Sequence, residues 1–91
     1  MLFIRYGRGE SILIKDAIVR RFQELCAEHD ISYIQLAQQA GVTPSTIYSM
    51  MNAERKEVRI STIKKLCDGL NISIKEFFDS ELFEDLPQEI I

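Results

Sequence analysis

The stretch Tyr33–Asn52, YIQLAQQAGVTPSTIYSMMN, decides how this chain folds. It holds two amphipathic segments, and only Gly41 and Val42 separate Ala40 at the end of the first from Thr43 at the start of the second. Two residues are too few for antiparallel packing, so the spacing predicts two helices that cross at a steep angle. Ala37 is small enough to let the second helix approach, Gly41 can take the positive φ of a sharp corner, and Val42 turns into the core. Leu36, Ala40, Val42, Ile47 and Met50 then form the inner face, which leaves Pro44, Ser45, Tyr48 and Ser49 facing outward.

The helix starts are written in a repeated pattern, a bulky apolar residue, then Ser or Thr, then another apolar residue four positions later. It occurs as Ile31/Ser32/Leu36, Val42/Thr43/Ile47 and Ile72/Ser73/Phe77. Each hydroxyl can accept a free backbone N–H while the apolar pair clamps the angle at which the chain enters the helix. Gln35 and Glu76 complete capping boxes, and Pro44 follows Thr43 at the first helical position, where its missing N–H costs nothing.

Further out, Ile14, Ile18, Phe22 and Leu25 recur at helical spacing, predicting a first helix that starts near Ser11 or Asp16 and ends near His29. Ile63, Leu66, Cys67 and Leu70 mark a fourth helix, closed by Asn71, which tolerates the left-handed conformation of a helix end. The expectation is an all-α chain of five helices, with an N-terminal arm over 1–14, one domain over 15–78 and an acidic tail over 79–91. Gly7 and Gly9 interrupt the pattern before the first helix, and Pro87 stops any continuation after the last.

A chain of 91 residues has room for one core, and 46% hydrophobic residues against 27% charged is a mixture that folds. The longest uncharged apolar run, Ser11–Ile14, falls far short of the roughly 20 residues that cross a bilayer, and Met1–Tyr6 lacks a signal peptide's layout, so the expected location is cytoplasmic. Cys26 and Cys67 both sit in apolar stripes and read as buried reduced thiols, not as a disulfide or a metal pair. His29 is the one histidine and no Gly-rich phosphate loop is present, so neither a metal site, a cofactor site nor a nucleophile–base pair can be assembled. An enzyme is not expected.

With its small residue, glycine and apolar positions in register, Tyr33–Asn52 resembles the helix-turn-helix of the Cro and lambda-repressor-like (XRE) family. The likeness continues through Ser61–Phe78, similar to that family's fourth and fifth helices, and covers about Asp16 to Phe78. It implies a lambda-repressor-like DNA-binding domain that regulates transcription, as a repressor and homodimer, with the helix from Thr43 to Asn52 in the major groove of an operator. Carried over by position, Pro44, Ser45 and Ser49 would meet base edges, with Tyr48 beside them. Tyr33, Thr43, Asn52, Arg55, Lys56 and Arg59 would meet the DNA backbone.

Two departures from the family stand out. Pro44 replaces the Gln of many relatives, exchanging a bidentate adenine contact for an apolar one, and no charged residue lies between Thr43 and Asn52, so that no Arg reaches guanine from this helix. Many relatives also pair an Arg of the first helix with a Glu of the third. Here those positions are Cys26 and Met51, which predicts an apolar contact between them.

The net charge of −3 runs against phosphate binding, but its distribution does not. All eleven Lys and Arg lie at or before Lys75 against eight acids, a balance of +3, and the remaining six acids follow it. Alternatives stay open elsewhere. Leu2–Tyr6 is either a pairing strand or a loose leader, and the apolar residues of the tail (Leu82, Phe83, Leu86, Ile90 and Ile91) either cover the domain's own core or bind a partner. Arg55, Lys56 and Arg59, interleaved with Glu54 and Glu57, also read as a solvated loop. A protein-interaction module of the same fold, such as an antitoxin, is the alternative to a DNA-binding regulator.

Overall fold

The computed structural model describes residues 12–90 of the chain. The arm Leu2–Tyr6 and its two readings lie outside the described residues, as do Ser11 and Ile91. The described chain forms α1 (Ile14–His29), α2 (Tyr33–Ala40), α3 (Pro44–Met51), α4 (Ile60–Leu70), α5 (Ile74–Phe78) and a 3-10 turn over Glu81–Phe83, with no strand among them. The five expected helices are present, and the turn after α5 is an addition to them.

Ser32 accepts from the Gln35 N–H while the Gln35 side chain accepts from the Ser32 N–H, at 3.1 and 2.8 Å. Ser73 and Glu76 repeat the arrangement at 3.0 and 2.9 Å. The residue that closes the preceding helix belongs to the same unit. Asp30, Gly41 and Asn71 are all left-handed, with φ of 55, 71 and 60°, and the apolar residue after each donates its N–H back into the helix. Ile31 bonds the Cys26 carbonyl, Val42 that of Ala37 and Ile72 that of Cys67, each at 3.0 Å. A left-handed residue, an apolar plug and a hydroxyl cap thus form a three-residue corner used three times, which satisfies the free carbonyls of one helix and the free N–H groups of the next.

The first helix departs from this scheme. It starts at Ile14, between the two starts expected from the sequence, and its free N–H groups are met by carboxylates instead of a hydroxyl. The Asp16 side chain accepts from Leu13 N at 3.1 Å, and Glu89 from far along the chain accepts from Ile14 N at 3.0 Å. Negative charge at a helix N-terminus is favourable because the peptide dipoles point their positive ends there.

Phe22, Leu36, Ile47, Ile63, Leu66, Cys67 and Phe77 are fully buried in one core to which all five helices contribute. Cys26 is buried in that core and Met51 packs half-buried against it. Phe22 and Phe77 pack with their rings tilted by 41° and their centroids 4.5 Å apart. Arg21 donates to the carbonyls of Phe77 and Glu76 at 2.7 and 2.9 Å, closing the open end of the short α5 with a positive charge. After α5, Leu82, Phe83 and Leu86 turn inward, whereas Ile90 stays exposed. Phe83 lies 4.8 Å from Phe78, ring centre to ring centre, and Leu82, Phe83 and Leu86 pack around the buried Ile12 and Ala17.

Candidate nucleic-acid interface

Helix α3 owes its exposed face to the two turns of backbone that carry it. Thr43 caps it, accepting from Thr46 N at 3.3 Å, and the two threonine hydroxyls lie 3.1 Å apart. Ile47 and Met50 point into the core, which fixes the rotation of the helix and leaves Pro44, Ser45 and Tyr48 exposed, Tyr48 by 54%. Ser49 is half-buried one turn beyond Ser45, so the two hydroxyls share a ridge.

The chain then runs over the surface to α4. Asn52 ends α3 in an extended conformation, its side chain accepting from Glu54 N at 2.9 Å and its carbonyl from Arg55 N at 3.0 Å. Val58 packs half-buried against the main core and anchors the middle of the segment. Arg55, Lys56 and Arg59 are exposed around it. Arg59 is also the residue that precedes α4, its carbonyl accepting from Thr62 and Ile63.

These parts enclose an open concavity of about 800 Å³ between α3, the loop and the start of α4. Thr43, Thr46 and Ser49 line one side, and Arg55, Arg59 and Lys65 bring three positive charges to it against one acid, Glu57. Of the residues singled out in the sequence, Thr43, Ser49, Arg55 and Arg59 meet here, while Pro44, Ser45 and Tyr48 stand exposed on α3 without lining the concavity and Lys56 and Asn52 are exposed in the loop. Tyr33 is half-buried at the start of α2, where burial raises its phenol above the ordinary value and a hydrogen bond with Gln23 opposes the shift.

Lys65 and Thr62 of α4 join this surface without having been singled out. The signal was in the sequence. With Ile63, Leu66, Cys67 and Leu70 on the buried stripe, Ser61, Thr62 and Lys65 fall together on its polar flank. Lys15 is a different case, since a lysine in a first helical turn reads as solvated, whereas here it is buried and donates to the Asn52 carbonyl at 2.8 Å. Among the described residues no group of three or more His, Cys, Asp or Glu is placed to hold a metal ion, and no helix is long and apolar enough to cross a membrane.

The crystal structure of the prophage Lp1 protein 11 resembles this chain with a TM-score of 0.71 and 28% sequence identity, covering 79% of this chain and 95% of that one. No curated protein matches. A family model described as the Cro/C1-type HTH DNA-binding domain matches residues 21–81, from the middle of α1 through the corner at Gly41 to the turn after α5. With the all-helical architecture, the hydroxyl-bearing α3 and the basic concavity beside it, this match means that the chain belongs to the Cro/C1-type HTH DNA-binding domain family.

Proposed function

We propose that the chain is a sequence-specific transcription regulator that places α3 in the major groove of a two-fold operator and binds it as a homodimer. The observation that carries this reading is that Ser49 of α3 lines one open concavity with the cations Arg55 and Arg59, while Ser45 stands exposed one turn earlier on the same helix. A major groove about 12 Å wide admits a helix, and phosphates flank it on both sides, so a reading helix needs cations at its margin. Ser45 and Ser49 would hydrogen-bond base edges, Pro44 would lie against a thymine methyl, and Tyr48 would reach a neighbouring base or sugar. Tyr33, Thr43, Asn52, Arg55, Lys56 and Arg59 would hold the DNA backbone.

With short hydroxyls and no Arg on α3, discrimination per base pair is modest and DNA shape carries part of the specificity. Occupying an operator excludes other proteins from the same site, which makes repression the direct consequence. The inward packing of Leu82, Phe83 and Leu86 favours DNA over a protein partner as the main ligand, since those side chains are spent on the domain's own core.

Selection of bound sequences from a random duplex pool, followed by salt titration of the best binder, tests the reading. The selected sites should show two half-sites about one helical turn apart. With roughly 4–6 phosphates neutralised per subunit, log K should fall against log salt with a slope of about −4 to −5 per subunit. A flat salt response, or a pool that yields no enriched sequence, overturns it.

A further inference from the structure

Lys15 is the one charged side chain that is buried among the described residues, at 4% exposure. It occupies the first turn of α1 and lines a shallow groove with Ile12, Val19 and Met51. Its ammonium donates at 2.8 Å to the Asn52 carbonyl, across 37 positions of sequence. That oxygen also accepts the Arg55 N–H at 3.0 Å. A single carbonyl at the end of α3 therefore ties together the start of α1 and the turn that carries Arg55 and Lys56.

Stability gives a poor reason for a lysine here. Burial lowers its pKa from the ordinary value, the charges of Lys56 and Arg55 push the same way, and Asp16 opposes them. A methionine would fill the groove without desolvating a charge. A phosphate contact gives no better reason, because the ammonium is covered and already engaged.

We infer that Lys15 is a positioning residue for the DNA face, locking the Asn52 carbonyl so that the Asn52–Arg55 turn presents Arg55 and Lys56 before DNA arrives. The inference rests on the DNA-binding reading above. A charge-assisted bond to a carbonyl is stronger and more directional than a neutral one. A turn ordered in the free protein does not lose that freedom on binding, so the saving appears as affinity.

The test is a double-mutant cycle on DNA affinity, using Lys15→Met, the pair Arg55→Ala/Lys56→Ala, and all three together, against a short random-sequence duplex and a selected one. Circular dichroism at the assay temperature establishes that each variant is folded. Lys15→Met should weaken binding about 3–10-fold, the equivalent of one or two side chains left to be ordered on binding. In the background lacking Arg55 and Lys56 the same change should alter affinity less than about twofold, because the groups it positions are gone. Lys15→Gln, which keeps a donor without the charge, should fall between wild type and Lys15→Met.

Equal losses in both backgrounds, or no loss in either, overturn the inference and leave the DNA reading standing. Failure of both Lys15→Met and Lys15→Gln to fold makes Lys15 a folding residue and also overturns it. A wild-type chain that binds neither duplex in a salt-dependent way removes the DNA reading, and this inference with it.

Discussion

Gly69 of α4 and Ala40 of α2 meet backbone to backbone, so that a Cβ built on Gly69 falls 2.9 Å from the Ala40 nitrogen and 3.0 Å from its Cα. Helix α2 ends at Ala40 and the Gly41 corner follows directly, so this contact sets where the corner lies relative to α4. Gly69→Ala has to push backbone, not the tip of a flexible side chain. Overpacking costs about 1–3 kcal/mol, and a clash with backbone puts this site at about 2–3, against which alanine's better helix propensity restores about 1 kcal/mol. A net loss of about 1–2 kcal/mol and a Tm lowered by roughly 5–15 °C are expected from thermal unfolding. An unchanged Tm would mean that α2 and α4 part without cost.

Gly41 tests the corner itself. Its φ is +71°, and an added Cβ meets nothing within 4 Å, so any cost of Gly41→Ala is the backbone's own. Left-handed residues with a Cβ are disfavoured by about 1–2 kcal/mol. Gly41→Asn should restore part of the loss, because asparagine tolerates this conformation, as Asn71 does at the end of α4. Denaturant unfolding of the two variants should rank wild type above Asn above Ala.

Under the proposed reading, substitutions at Arg55, Arg59, Ser45 and Ser49 should separate grip from reading. Arg55→Ala and Arg59→Ala should each weaken all duplexes alike and reduce the magnitude of the salt slope by about 1. Ser45→Ala and Ser49→Ala should leave the salt slope in place and change which sequences are enriched in selection. A loss of selectivity on removing either arginine would reverse this division.

Phe83 and Leu86 lie beyond α5 yet pack on the cores that α1 and α5 build. Phe83 meets both Phe77 and Phe78, at 5.9 and 4.8 Å between ring centres. For a half-buried ring, Phe83→Ala should cost about 1.5–2.5 kcal/mol in denaturant unfolding. A loss near zero would show that the C-terminal stretch packs without stabilising the domain.

Burial pushes the Cys67 thiol up to about 11 from an ordinary 9.0, with Asp68 adding to the shift. A thiol with a raised folded-state pKa contributes stability below the unfolded value and loses it as pH rises through the folded one. Between pH 9 and about 11 the unfolded chain therefore gives up a proton that the folded chain keeps, and this group weakens the fold across that window. The alkaline fall in stability should be shallower in Cys67→Ala than in wild type. At neutral pH both Cys26 and Cys67 should react with a thiol reagent only as the chain unfolds, since both are buried and both are shifted upward.

Three of the helix starts and the corner at Gly41 were legible in the sequence, because these are local matters. Ser32 with Gln35, Thr43 with Pro44 and Ser73 with Glu76 each settle a helix start within four residues, and Ile47 and Met50 fix which side of α3 faces out. Features that join distant residues emerged only in the folded chain. Glu89 on the α1 N-terminus, Lys15 on the Asn52 carbonyl, Arg21 on the end of α5 and Gly69 against Ala40 leave no local pattern, since a charge or a glycine reads the same whether water or a remote backbone group is its partner. Packing brings those partners within reach, and it does so only after the helices, formed for local reasons, have closed around Phe22 and Phe77.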